Sequence, residues 1–165
     1  MIAPPLSTFS GRVHRQTGVG IAALPPAEPA PAPARYHRAG EGWPLYAALE
    51  PATAWAEWEA ASGGAIDPVD EERRLWPIEV EQLPVVDLRD GATRAALGIA
   101  GLRSLTAGWD ATQALADRLR TLGAEGAVVP SAARPGHWNL VVFPAGFARL
   151  RVGRGRTMHP RPPRA

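Results

Sequence analysis

The sequence predicts a mixed α+β domain, and three observations carry that expectation. Short apolar runs rich in β-branched residues outnumber helical patterns, at about six strands to about three helices. The helical patterns sit between groups of strands and do not alternate with them one for one, which disfavours a doubly wound parallel sheet. At 165 residues the chain is long enough for one domain with a genuine core and short for two.

The elements follow in order. Residues 1–10 are proline-rich and read as an N-terminal extension, whereas Gly11–Gln16 alternates and reads as a first strand or an extended arm. Residues 24–34, LPPAEPAPAPA, are a Pro/Ala tract whose rings fix φ and remove donors, so an extended surface loop is expected there. Trp43–Ala48 reads as a buried strand. A helix over Pro51–Ser62 starts with a proline where the first turn tolerates one. On it Ala52, Trp55, Ala56 and Glu59 recur at helical spacing, which places Glu57 at the border of the apolar stripe. Leu75–Val80 and Leu83–Leu88 read as two strands split at Glu81 and Gln82, with Pro77 and Pro84 marking edges or strand starts.

A short helix is expected over Ala92–Leu97. The clearest helix spans Thr112–Leu122, with Leu115, Leu119 and Leu122 on one face, Asp110 as N-cap and Gly123 as its stop. Gly126–Val129 and Trp138–Phe143 are apolar runs flanking the loop PSAARPGH and read as paired central strands. The folded unit is expected over residues 11–150. Residues 151–165 offer little to bury and read as a basic flexible tail.

Composition narrows the chemistry. Cysteine is absent, which removes disulfides, a thiolate nucleophile and Cys-ligated metal, and His14, His37, His137 and His159 have no ligand spacing. No metal is expected. No apolar run approaches the roughly 20 residues that span a bilayer, and the start lacks the order of a secretory signal, so the cytoplasm is the expected location. All 18 basic residues are Arg, whose planar fork matches phosphate bidentately. Arg149, Arg151, Arg154, Arg156, Arg161 and Arg164 crowd the C-terminal end, which admits a nucleic-acid-binding reading. Against it, the tail has no interleaved aromatics and the net charge is only +2.

Three segments read together, RYHRAGEGWPLYAALEPATAWAEW, VVDLRD and GAVVPSAARPGHWNLVVF, resemble the RES domain of bacterial toxin–antitoxin pairs. The order and spacing agree from Gly11 to Phe143, with a histidine at position 14 where an aromatic is commoner and a proline-rich tract in place of the usual loop. The resemblance puts the family's Arg on Arg35, its Tyr on Tyr46, its Glu on Glu57 and its Ser on Ser131. Asn139 matches the Asn after the serine loop. Arg15 matches the first-strand Arg, with Arg12 as the alternative and Arg38 in reserve.

What the resemblance implies is a split mixed sheet similar to that of ADP-ribosyltransferases, with NAD as substrate and no resident cofactor. It implies growth arrest through NAD phosphorolysis with inorganic phosphate or through hydrolysis; protein ADP-ribosylation on the same fold is the alternative. It also implies a cognate antitoxin with an Xre-like helix-turn-helix region. In that setting the arginines would clamp the pyrophosphate, Tyr46 would stack on nicotinamide, Glu57 would stabilise charge at the ribose, and Ser131 would hold phosphate, ribose or the attacking group. Read singly, the same residues are ordinary: arginines and Glu57 in solvent, Tyr46 in the core, Ser131 and Asn139 bracing a turn, Trp55 and Trp58 packing.

Overall fold

The structure is a computed structural model that describes residues 6–62 and 72–158. Its backbone is organised by two long strands, β1 (Ser7–Gly18) and β3 (Arg73–Asp87), paired antiparallel from Ser7↔Val85 to Gly18↔Arg73. The expected break at Glu81 and Gln82 is a β-bulge inside one strand. Between the Phe9↔Leu83 and Gly11↔Val80 pairs, two residues of β3 face Ser10 alone. Gln82 takes φ +48° there, and its N–H donates to Ser10 Oγ at 2.9 Å.

The far edge of β3 is shared by three partners: β7 (Arg156–Met158) at Arg73–Leu75, β6 (Leu150–Val152) at Ile78–Val80, and β4 (Gly126–Pro130), in parallel, at Val85–Asp87. That division explains how two prolines fit an interior strand. A residue's N–H and C=O point to the same side of a strand. Pro77 O accepts from Gly153 N and Pro84 O accepts from Glu125 N, so both missing donors face the gaps between these partners.

From β4 the sheet continues through β5 (Trp138–Val142) and β2 (Leu45–Ala48), all antiparallel, and returns to β1 through the one pair His14↔Ala48. The circuit β1–β2–β5–β4–β3 is thereby closed. Val13, Leu45, Ile78, Leu83, Val128, Leu140 and Val142 form one buried cluster from its strands. On the other face of β4 and β5, Val86, Ala127, Val129, Val141 and Phe143 pack against Leu115, Ala116 and Leu119 of α4 (Asp110–Thr121). Two shorter helices, α2 (Gly91–Ala96) and α3 (Ser104–Ala107), lead into α4. The architecture is mixed α+β, as expected.

Several local expectations change. Helix α1 spans Pro51–Ser62 as expected, but its buried residues are Thr53, Ala54 and Trp55, while Ala52 and Glu59 are exposed. An alanine-rich helix gives no sharp periodicity, so its packed face is set by what it meets: Ala54 packs with Ala48 and Leu75. Glu57, at i+3 from Ala54 and i+4 from Thr53, stands on that packed face and not at its border. Trp109, not Asp110, takes the N-cap position of α4, without a side-chain cap bond. Gly123 stops α4 as expected: at φ +84° it closes a Schellman motif in which Ala124 N donates to Leu119 O and Gly123 N to Arg120 O.

The Pro/Ala tract, expected as an extended surface loop, bends at Leu24, Ala27, Glu28, Pro31 and Ala32 and is pinned. Ala30 is buried, its N–H donates to Glu41 O, and Gly40 N donates to Ala30 O. The tail expectation is corrected over residues 151–158, because the far edge of β3 would otherwise carry unpaired backbone groups. β6 and β7 supply the partners, with Arg74 Nη2 donating to Gly155 O at 2.8 Å. The first five residues of the extension and the end of the tail, with His159, Arg161 and Arg164, lie outside the described residues.

Candidate active site

Because β1 and β2 share a single residue pair, the sheet opens between them into a cleft of about 550 Å³. Arg15 and Gln16 line it from β1, Tyr46 from β2, Glu57 from α1 and Asn139 from β5; Arg35 comes from the preceding loop, and half-exposed Trp109 sits at the rim.

Glu57 is the best-held polar group in the cleft. Its Oε1 accepts from Ser131 Oγ at 2.6 Å and from Asn139 Nδ2 at 2.7 Å. Two donors on one oxygen suit a carboxylate acceptor and leave Oε2 without a hydrogen-bond partner among the described residues. Ser131 is buried and is not a lining residue; its Oγ also accepts from Arg134 N at 3.0 Å. Its hydroxyl is thus committed to Glu57 and to the backbone of its own loop.

The serine loop is clipped to the start of α1. Arg134 Nη1 donates to Glu50 Oε2 at 2.9 Å and to Thr53 Oγ1 at 3.0 Å, while His137 Nδ1 lies 3.0 Å from Glu50 Oε1. The His137 and Arg134 contacts hold the Glu50 carboxyl below its ordinary pKa. One acid thus ties the loop carrying Ser131 to the helix carrying Glu57.

A second group of contacts fixes the Arg35 segment. His37 Nε2 lies 3.0 Å from Ala32 O, which can only accept, so Nε2 carries a proton. Tyr46 OH hydrogen-bonds His37 Nδ1 at 2.9 Å and accepts from Tyr36 N at 3.0 Å. Both hydrogen bonds are spent on the segment, and only the ring of Tyr46 is left to meet a ligand. Burial raises the pKa of the Tyr46 phenol, as it does for Tyr36, whose hydroxyl is buried without a partner among the described residues. Arg35 reaches the cleft with Nη1 donating to Leu105 O at 3.2 Å.

The remaining arginines separate. Arg15 is largely buried, which lowers its pKa, and its Nη1 has no partner among the described residues. Arg12 is exposed, paired with Glu79, and outside the cleft. Arg38 pairs with Asp117 at 2.7 Å and with Glu41, also outside it. Trp55 is packed, its indole donating to Glu59 at 3.0 Å. The sequence reading assigned nothing to Gln16, Tyr36, Glu50, Trp109 or Arg134. Arg134 lies within the quoted VPSAAR block and Gln16 directly follows Arg15, which were the available signals.

Comparisons with known proteins bear on the family and the fold. A Mycobacterium tuberculosis protein named "Probable NAD(+) phosphorylase" is 33% identical over 161 residues, covering 97% of this chain and 77% of its own length. The crystal structure of the M. tuberculosis MbcT-MbcA toxin-antitoxin complex contains a chain of similar fold, with a TM-score of 0.76 at 23% identity over 94% of this chain and 87% of that one. The RES domain family model matches residues 11–160, a span that takes in every residue of the cleft and both C-terminal strands, and the chain belongs to the RES domain family.

Proposed function

We propose that this chain consumes NAD by breaking the bond between the nicotinamide nitrogen and ribose C1′, with inorganic phosphate as acceptor. The observation that carries the reading is Glu57: a carboxylate fixed through one oxygen by Ser131 and Asn139, with the other unpartnered among the described residues, in a cleft shared with Arg35. The name of the M. tuberculosis relative supports the same substrate and acceptor.

Nicotinamide departs with the bonding electron pair, which neutralises its ring. A phosphate oxygen supplies the pair for the new bond to C1′, giving ADP-ribose-1″-phosphate. Positive charge builds at the ribose between these events, and the preorganised Glu57 carboxylate stabilises it or holds the ribose hydroxyls. Arg35 and Arg15 serve the pyrophosphate, with the exposed Arg12 and Arg38 outside that role. The ring of Tyr46 offers an aromatic face to the cationic nicotinamide. Ser131 acts on the ligand through Glu57, whereas Asn139 both holds Glu57 and lines the cleft itself.

We read the split sheet as ADP-ribosyltransferase-like and the protein as the toxin of a cytoplasmic toxin–antitoxin pair. Its antitoxin would carry an Xre-like helix-turn-helix region and cover the cleft. The similarity in fold to a chain of the MbcT-MbcA complex supports the pairing. Expression in bacteria tests this reading: cellular NAD falls and growth stops, and Arg35→Ala, Glu57→Gln and Ser131→Ala each relieve the arrest while leaving a folded protein. Full toxicity in all three variants means that the site is elsewhere.

A further inference from the structure

Strand β1 brings to the cleft one polar side chain that this reading does not use. Gln16 lines the cleft directly after Arg15. Register decides its face. His14 pairs with Ala48 and Ala48 pairs with Asn139. Directly opposed residues share a face and residues two apart on a strand do too, so Gln16 stands on the face of Asn139 and its partner Glu57.

Its orientation is set from behind. Arg73 donates to Gln16 Oε1 through Nε at 2.8 Å and through Nη2 at 2.6 Å. Arg73 faces Gly18 across the ladder while Gln16 faces Leu75, so the two are diagonal neighbours on one face. The guanidinium is largely buried and lies 3.7 Å from the centroid of the Trp58 ring, which fixes its plane. An oxygen gripped by two cationic donors settles which end of the amide is which. The Nε2 group therefore points away from Arg73 with two N–H donors. It has no hydrogen-bond partner among the described residues and, unlike Arg15 Nη1, is not sealed from solvent.

We propose that Gln16 is a substrate-binding residue whose Nε2 donates to a phosphate oxygen. The source is either the pyrophosphate of the dinucleotide or the inorganic phosphate acceptor. Nε2 offers donors alone, and the unprotonated oxygens of a phosphate group accept. A guanidinium pulling on the carbonyl polarises the amide and strengthens donation at its other end. Arg73 is the positioning residue, and Trp58 holds Arg73. The inference rests on the NAD reading for its ligand and on β1 geometry for its residue.

The test uses Gln16→Met, which removes the donor, and Gln16→Glu, which keeps an acceptor for Arg73 but turns a second acceptor toward the cleft. Steady-state constants are measured with NAD varied at saturating phosphate and the reverse; calorimetry measures binding of inorganic pyrophosphate and orthophosphate. A hydrogen bond to a charged group predicts a rise of about tenfold or more in one KM, with kcat less affected, and a matching loss of affinity for one anion. Whichever substrate's KM rises identifies the source. KM values and anion affinities within about twofold of wild type in both folded variants, with NAD still consumed, overturn the Gln16 assignment and leave the NAD reading standing. A wild-type protein that leaves NAD unchanged yet binds pyrophosphate through Gln16 overturns the NAD reading and keeps the assignment. Neither turnover nor anion binding in the wild type overturns both.

Discussion

Glu57 and Ser131 lie 74 positions apart in sequence and 2.6 Å apart in space. That contact separates two kinds of loss. Glu57→Gln keeps an acceptor for Ser131 and Asn139 but removes the charge, so NAD turnover should fall about 100-fold or more, on the order of 3 kcal/mol, with an unchanged melting curve. Ser131→Ala should lower kcat by about tenfold with KM nearly unmoved, because the serine acts through Glu57 and does not line the cleft; a rise in KM alone would return it to direct contact. Arg38→Ala should leave turnover within about twofold, since exposed ion pairs contribute roughly 0–1 kcal/mol. The family pattern quoted from the sequence included the residues around Glu57, but the sequence could not say which arginines share its cleft. Arg12 and Arg15 lie on one strand, and its register with β3 sets Arg12 opposite Glu79, with which it pairs, while Arg15 lies further along, where the strand lines the cleft.

At the scale of elements, what was legible depended on local chemistry. Proline in the first turn marked the start of α1, and Gly123 stopped α4. The packed face of α1 was not legible, because alanines surround it and tertiary contacts choose among them. β6 and β7 were illegible for another reason: three residues each carry too little periodicity, and their stability comes from the open edge of β3. Ending the chain after Val152 should therefore lower the melting temperature, by a stability loss of about 1 kcal/mol or more from unmade backbone hydrogen bonds. A truncated protein that melts with the full chain would mark β7 as dispensable. Gly126 gives a sharper test of the β4–β5 pairing. A Cβ there would lie 2.6 Å from Val141 O, so Gly126→Ala should cost about 1–3 kcal/mol in a denaturant titration.

For the molecule as a whole, one design feature connects fold and function. The strand circuit is well paired except where β1 meets β2, and the cleft occupies that opening. Composition and patterning reached a mixed α+β domain; they could not show closure, because the pairs that close it join residues far apart in the chain. The ligands of the cleft follow from its charges, with Arg35 and Arg15 for anionic groups and Glu57 for a developing cation. The most direct measurement is product analysis of the purified protein, free of antitoxin, incubated with NAD with and without inorganic phosphate. The account predicts phosphate-dependent release of nicotinamide with an equal amount of ADP-ribose-1″-phosphate, abolished by Glu57→Gln. Free ADP-ribose would assign water as acceptor and labelled protein would assign ADP-ribosyl transfer, each contradicting the proposed acceptor. NAD left unchanged by the folded protein in both conditions would contradict the account at its centre.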